Sequence, residues 1–197
     1  MMTPRLKELL LQSLVHERGG VLLYRTALEC AVHDGLREEW EKYLVQTEHH
    51  VEVLTRVCTL LGLDPGEMTP GCLIVHENGK ALVVAMKRAL AAEDPAAAQI
   101  VACECVVLAE TKDHADWELI GQCAKGMDGD VAQVLRDAYD EVEDQEDEHL
   151  YHTKGWCREL WLESLGLDAV LPPPEEKEHV KTAIDAAKAE KRAHPAN

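Results

Sequence analysis

Apolar residues recur every three or four positions along most of this chain, which is the spacing of one buried face of an α-helix. Proline near the start of a periodic stretch, or glycine just past its end, marks several of the boundaries. The pattern predicts six helices, over residues 4–33, 36–61, 79–92, 94–126, 130–165 and 175–192. Because few β-branched runs occur and Ala, Leu, Glu and Lys dominate, we expect an all-α protein.

Two short Asp-Gly turns, at residues 34–35 and 128–129, divide the four long helices into two hairpins. A long crossover that carries the extra helix 79–92 joins the hairpins. One class of four-helix bundles has this connectivity. We therefore predict a four-helix bundle over residues 1–166, followed by a Pro-rich linker and a charged surface helix over residues 167–197.

Each long helix carries an ionisable residue where its apolar periodicity predicts a hydrophobic one. These candidate metal ligands are Glu17, His50, Glu110, Glu146 and His149. A buried, isolated carboxylate is strongly destabilising unless it is paired or bound to a cation. Because apolar residues flank every one of these positions, we expect the five side chains to lie at middle depth in the bundle. The pattern favours a metal site in the bundle core.

The donor types indicate which chemistry such a site could support. Carboxylates combined with imidazoles suit iron or manganese. Glu146 and His149 are three residues apart, so one helix face can present both to one ion. Two adjacent metals can bind and reduce oxygen or peroxide. The expected cofactor is therefore one or two ions of iron or manganese per chain, with oxygen or peroxide as substrate.

Simpler interpretations of the same residues stay open. Glu146 and His149 could form a buried ion pair in which His149 is protonated. The aromatic residues on the same stripes, Tyr24 and Trp117, are typical of core packing. We expect four other histidines near these positions to lie at the surface or behind the ligands: His16, His49, His114 and His152.

Composition narrows the class of protein. With 197 residues, 46% of them hydrophobic, the chain can build a substantial core. The formal net charge of −17 argues against nucleic acid and anionic membranes as partners. Seven scattered cysteines without a Cys-x-x-Cys pair are typical of free thiols in a reducing compartment. No stretch resembles a membrane span or a signal peptide, so we expect a cytoplasmic protein.

A weak internal repeat links the two hairpins. Glu17 and Glu110 occupy matching positions, and an aromatic residue follows each of them seven residues later. The sequence Gln-Thr-Glu-His-His at 46–50 resembles Gln-Glu-Asp-Glu-His at 145–149. The best-matched positions of the repeat are those that the apolar pattern marks as unusual.

These motifs resemble the ferritin-like di-iron carboxylate superfamily, which includes bacterioferritins, rubrerythrins and several bacterial stress proteins of unassigned activity. Members place Glu on the first and third helices and Glu-x-x-His on the second and fourth. The resemblance covers about residues 9–163, and its matching positions are Glu17, His50, Glu110, Glu146 and His149. It implies a ferritin-like bundle and a homodimer.

One position departs from the family pattern. Thr47 stands where the second-helix motif has Glu, which leaves open whether the site holds one ion or two. Asp113, one helical turn from Glu110, is the best candidate to compensate. Glu48 is a poorer one, because it lies roughly 100° away from position 47 around the helix.

The expected function is to hold iron or manganese in the bundle core and to handle oxygen or peroxide there, which leaves open an oxidase or peroxidase-like oxidoreductase activity. The alternative from another class is a non-catalytic helical stress or scaffold protein with a degenerate metal site. A second enzymatic alternative oxidises an organic substrate beside the metals. An apolar pocket next to His149 would favour that alternative.

Overall fold

The computed structural model describes residues 2–195, and within that range all regular secondary structure is helical, with no strands. This confirms the predicted all-α class. The helices are α1 (Pro4–Cys30), α2 (Asp34–Leu60), α3 (Pro70–Leu90), α4 (Pro95–Gly126), α5 (Asp130–Ser164), α6 (Pro174–Lys177) and α7 (Ala183–Ala193).

Local sequence signals explain where the helices begin and end. α1, α3 and α4 each start with a side-chain oxygen that accepts a hydrogen bond from the amide three residues ahead, and the capping residues are Thr3, Thr69 and Asp94. In each case proline follows in the first turn. Gly62 and Gly166 have φ of +72° just after α2 and α5, a conformation that glycine adopts without strain.

Three predictions about helix boundaries were wrong. The turn predicted at residues 34–35 lies at residues 31–33, because the His33 side chain caps the next helix and Asp34 and Gly35 already belong to α2.

α3 begins at Pro70 and not near residue 79, because Thr69 caps its first turn and Gly79 is accommodated inside the helix. The predicted helix over 175–192 is broken into α6 and α7. His179 has φ of +50°, and the Thr182 side chain accepts a hydrogen bond from the Asp185 amide at 3.1 Å, which starts a new helix.

The four long helices pack in a ring. α1 contacts α2 and α4, and α5 contacts the same two helices, so α1 and α5 are diagonal. α3 lies across α1 and α4, on the outside of that pair. The chain after α5 returns along it, where the Arg158 guanidinium donates to both carboxylate oxygens of Glu175 at 2.7 and 3.0 Å.

Within residues 2–195, the buried apolar side chains form two separate clusters. One contains Leu10, Leu14, Leu54, Trp117 and Val142, and the other contains Leu23, Tyr24, Trp40, Val106 and Trp156. On each long helix, the side chains change from one cluster to the other at the predicted ligand positions. The core is therefore divided by a polar layer at its middle.

None of the helices in the described range is long and apolar enough to cross a membrane. All seven cysteines are free thiols, as predicted. Burial raises the pKa of Cys30, Cys58 and Cys105 to about 11, which keeps these thiols protonated and weakly nucleophilic at neutral pH.

Candidate metal centre

The five predicted ligands, one or two from each long helix, meet in the polar layer. All are at most 3% exposed. His50 Nδ1 lies 2.8 Å from Glu146 Oε1 and 3.5 Å from Glu17 Oε1. His149 Nδ1 lies 3.5 Å from Glu110 Oε2 and 3.9 Å from Glu146 Oε1. Helices from both halves of the chain thus contribute to one cluster.

The cluster divides into two groups of three that share Glu146. One group is Glu17, His50 and Glu146, and the other is Glu110, Glu146 and His149. Within each group, one ligand atom per residue lies within 4.8 Å of the others. The two imidazole rings are stacked, with centroids 5.6 Å apart. The geometry therefore offers two neighbouring cation positions with one carboxylate between them.

A glutamine fixes the orientation of each imidazole. His50 Nε2–H donates to Gln145 Oε1 at 2.8 Å, and His149 Nε2–H donates to Gln46 Oε1 at 2.9 Å. Because the outer nitrogen carries the hydrogen, the Nδ1 lone pair of a neutral ring faces the carboxylates. Hydrogen bonds of this kind set the tautomer and orientation of metal-binding histidines.

Two aromatic residues hold the carboxylates in the same way. The Tyr24 hydroxyl donates to Glu110 Oε1 at 2.7 Å, and the Trp117 indole N–H donates to Glu17 Oε1 at 2.8 Å. Burial, followed by the Glu110 charge, raises the pKa of Tyr24 well above its usual value, so its hydroxyl stays a donor. Tyr24 and Trp117 therefore pack in the core, as expected, and also orient the candidate ligands.

All four supporting contacts cross between the halves of the chain. Tyr24 and Gln46, from the first hairpin, bond to ligands of the second. Trp117 and Gln145, from the second hairpin, bond to ligands of the first. The centre thus has an approximate two-fold arrangement, which gives a structural basis for the internal sequence repeat.

Several ligand atoms are buried without a hydrogen-bond partner, namely Glu17 Oε2, His50 Nδ1, Glu110 Oε2 and both carboxylate oxygens of Glu146. His50 Nδ1 is close to Glu146 Oε1, but the two groups are not aligned for a hydrogen bond. Unsatisfied buried acceptors destabilise a fold. Oxygens and a ring nitrogen that face one space, unbonded to each other, fit the donor set of a cation.

Protons partly balance the buried charges. Burial lowers the pKa of His50, but Glu17 and Glu146 outweigh it and hold that pKa well above its usual value. Burial also raises the pKa of Glu146, more than His50 lowers it. Burial raises the pKa of Glu110, but its interactions with His149 and Tyr24 are stronger and lower that pKa below the usual value. A cation that bound here would displace protons from this cluster.

Glu146 and His149 form only a long ion-pair contact and not a hydrogen-bonded buried pair. Their closest atoms are 3.9 Å apart, which is too long for a hydrogen bond. Glu146 is closer to His50, on a different helix. The i, i+3 motif therefore contributes its two side chains to a larger cluster and does not form a self-contained pair.

Thr47 is buried at the contact between α1 and α2. Its methyl group would lie 3.1 Å from a Cβ atom added to Gly20, so the helices approach closely there. Asp113 is buried as well, and its Oδ1 has no hydrogen-bond partner. Burial, then Glu17 and Glu146, raise its pKa well above the usual value. Asp113 belongs to neither ligand group in the described residues, so its compensating role stays a prediction.

Glu48 points away from the centre and forms a surface ion pair with Arg25 at 2.7 Å. Of the other histidines, His49 contacts Glu141 at the surface, and His16 bonds to the Ala109 carbonyl.

His152 is only 1% exposed, and its Nδ1 lies 3.1 Å from the Tyr43 hydroxyl. The Tyr43 ring in turn contacts the His149 ring, with centroids 4.2 Å apart. His152 therefore lies behind a ligand and not at the surface.

The roles of Gln46, Gln145 and Tyr43 were not predicted from the sequence. A signal for the glutamines was present, because each precedes a candidate histidine by four residues in the repeat. Each glutamine bonds, however, to the histidine of the other helix. Tyr43 gave no signal, since aromatic residues on an apolar stripe are ordinary core residues.

A scan against protein-family models found no match, and neither did searches of curated proteins and of solved structures. The geometry of the centre is therefore the main evidence about the function of this protein. The resemblance to the ferritin-like superfamily, drawn from the motifs, stays a prediction.

Proposed function

We propose that this protein is a ferritin-like metalloprotein that binds two neighbouring ions of iron or manganese in its core and handles oxygen or peroxide there. The observation that carries the proposal is the position of Glu146. Its oxygens have no hydrogen-bond partner, and it belongs to both three-residue ligand groups. A carboxylate in that position can bridge two ions, so the missing Glu at position 47 need not exclude a second ion.

The architecture supports the ferritin-like part of the proposal. The ring order α1–α2–α5–α4 follows from two hairpins side by side, and α3 lies in the long crossover between them. Ferritin-like carboxylate proteins share this connectivity, and their ligands project inward from all four helices.

At such a centre, the residues of the chain would have three different roles. Glu17, Glu110 and Glu146 would bind the ions and offset their charge, and His50 and His149 would complete the two positions. The glutamine, tyrosine and tryptophan partners hold these ligands in place, while the apolar clusters on either side exclude bulk water. Iron or manganese bound there would supply the electrons for reduction of oxygen or peroxide.

No observation favours oxidation of an organic substrate beside the metals. The structure does contain an apolar cavity of about 360 Å³ between α1, α3 and α4. Its lining includes His16, Gly20 and Leu82 but neither His149 nor any other candidate ligand. The non-catalytic scaffold alternative differs from our proposal in predicting little or no bound metal.

Metal titration tests the proposal. Untagged protein, stripped with a chelator and titrated anaerobically with Fe²⁺ or Mn²⁺, should bind about two ions per chain. His149→Ala should weaken binding by more than about 100-fold, because it removes a ligand and not merely a supporting group. His152→Ala is the matched control, since both histidines are 1% exposed and only His149 belongs to a ligand group. Metal content near zero, or equal affinities of the two variants, would refute the proposal.

Oxidation kinetics test the reaction. Protein loaded with Fe²⁺ should consume oxygen or peroxide faster than the same concentration of free Fe²⁺ in the same buffer. The His149→Ala variant should lose this acceleration, and His152→Ala should keep it. If the loaded protein reacts no faster than the free ion, the scaffold interpretation is favoured.

A further inference from the structure

A polar cavity of about 230 Å³ connects the surface with the candidate centre. It lies between α4, α5 and the residues around the start of α7. Trp117 and Glu146 form part of its wall, while Lys181, Thr182 and Ala183 line another part. The cavity is large enough to hold several water molecules.

Glu146 is the only candidate ligand that lines this cavity. It is 1% exposed, and neither of its carboxylate oxygens has a hydrogen-bond partner. A buried carboxylate that lacks a hydrogen-bond partner, in a residue that lines a polar cavity, provides a favourable position for a cation arriving through that cavity. The cavity therefore reaches Glu146, the residue shared by both ligand groups.

The walls of the cavity are suited to a positive ion. Glu118, Glu143 and Asp147 line it and contribute negative charge. His114 also lines it, and its Nε2 lies 2.8 Å from Asp147 Oδ1. Acidic walls concentrate cations locally and increase the rate at which they associate.

One positive residue opposes these acids. Lys181 lines the cavity, and its Nζ is held 2.9 Å from Asp144 Oδ2 and 3.8 Å from Glu148 Oε1. It lies in the segment between α6 and α7, so the returning chain supplies part of the wall. This ammonium group would repel a cation that enters the cavity.

The other surroundings of the centre are less permeable to ions. The two apolar clusters lie on either side of the polar layer along the helices. A hydrated ion cannot cross such packed apolar layers without a large desolvation penalty.

We propose that the cavity between α4, α5 and the start of α7 is the route by which a hydrated divalent cation reaches the core, with Glu146 as the first core ligand that it meets. This inference rests on the proposed function, because it presupposes that the core binds metal. It adds a kinetic role for residues outside the five ligands.

Stopped-flow mixing with Mn²⁺, followed by tryptophan fluorescence, tests the route. The double variant Glu118→Gln/Glu143→Gln should lower the association rate constant by at least about threefold relative to wild type. The equilibrium affinity should change less, because the dissociation rate falls with it when both directions use one route. The double variant Glu41→Gln/Glu163→Gln is the matched control, since it removes the same charge from exposed positions that do not line this cavity.

Two single substitutions should change the association rate constant in opposite directions. Lys181→Ala should raise the association rate constant, because it removes the positive charge from the wall. Ala183→Trp should lower both rate constants at nearly unchanged affinity, because a large side chain fills the cavity.

The outcomes separate the two claims. A wild-type chain that binds no Mn²⁺ at equilibrium overturns the proposed function and this inference with it. The route alone is overturned if the cavity variants bind Mn²⁺ with normal affinity and also associate with it as fast as the control variant does.

Discussion

Glu146 differs from the other two candidate carboxylates in having neither oxygen hydrogen-bonded. Glu17 and Glu110 each keep one oxygen bonded to an aromatic donor. Of the three candidate carboxylates, the one with the fewest hydrogen bonds is thus the one shared by both ligand groups. A buried carboxylate without hydrogen bonds lowers the stability of the metal-free protein, and a bound cation would offset this loss of stability.

We expect Glu146→Gln to raise the free energy of unfolding of the metal-free protein by about 1–2 kcal/mol, because it removes a buried ionisable group while conserving its volume. The same change should abolish stabilisation by added Mn²⁺. Urea denaturation with chelator and with Mn²⁺ measures both effects. A metal-free variant less stable than wild type would contradict this account.

Thr47→Glu is expected to have the opposite effect to Glu146→Gln on the free energy of unfolding of the metal-free protein. The new carboxylate would lie three residues before His50 and complete a second Glu-x-x-His motif. The metal-free variant should be less stable, because another acid joins an acidic, buried centre. With Mn²⁺ it should regain or exceed wild-type stability.

Thr47→Gln is the control for size, since Gly20 leaves little space beside this residue. Calorimetry with and without metal distinguishes the variants. Equal metal-free stability of Thr47→Glu and Thr47→Gln would mean that position 47 does not face the centre.

At the scale of elements, glycines set how closely segments approach. A Cβ atom added to Gly155 on α5 would lie 2.5 Å from Glu175 Oε2 and 2.9 Å from Pro173 Cβ. The returning chain can therefore pack on α5 only where α5 lacks a side chain. That contact places the segment carrying Lys181 beside the polar cavity.

Gly155→Ala should destabilise the protein by about 1–3 kcal/mol, because the added methyl group overlaps the returning chain. Gly79→Ala is the control and should stabilise it by about 0.5–1 kcal/mol, because Gly79 is inside α3 with nothing near its Cβ position. Urea denaturation gives the free energies, and limited proteolysis shows whether residues 167–195 detach. Equal effects of the two substitutions would contradict the close approach.

Glu159 accepts hydrogen bonds from the returning chain after α5, at the Val170 amide and at His194. The packing of this segment on α5 should therefore depend on pH. Burial raises the pKa of Glu159, but the Val170 amide, His194 and Arg158 together lower it below the usual value. Because the folded pKa is lowered, the stabilisation is complete above the unfolded value of about 4.3 and is lost as the pH falls through the folded value.

Glu159→Gln should therefore lower stability at pH 7 by about 1–3 kcal/mol, the range for hydrogen bonds to charged groups. The difference from wild type should shrink as the pH falls below about 4. Thermal unfolding between pH 3 and pH 7 checks both statements. A difference that stays constant with pH would show that the Glu159 charge contributes nothing.

At the scale of the whole molecule, acidic residues outnumber basic ones by 37 to 20. Exposed ion pairs such as Arg25–Glu48 contribute little each, and the excess of acidic residues has no basic partners. Repulsion among like charges destabilises a compact state, and salt screens it.

Adding about 0.5 M NaCl at pH 7 should therefore raise the Tm of the metal-free protein by about 2–4 °C, equivalent to roughly 1 kcal/mol. Near the isoelectric point, about pH 4.9, the gain should largely disappear, because the net charge is then small. Calorimetry at the two pH values makes the comparison. A fall in Tm with salt at pH 7 would mean that favourable ion pairs outweigh the repulsion.

The sequence by itself determined most of the helices and the five candidate ligands. Helix periodicity and end signals are local, because hydrogen bonds and side-chain spacing within a helix span only a few residues. Glu17, His50 and Glu110 could be identified for the same reason, since each interrupts an otherwise apolar face. The errors at the start of α3 and in the break before α7 also concern local capping signals, at Thr69 and Thr182, that were present but overlooked.

Only the tertiary structure decided which groups face one another. Gln46 and Gln145 support histidines about a hundred positions away in the chain, and no local pattern encodes such a pairing. His152 is buried because Tyr43 approaches it from another helix. Glu146 contacts His50 more closely than its own motif partner because α2 and α5 are neighbours in the ring. Helix formation depends on short-range interactions, whereas the centre depends on packing between helices that are distant in sequence.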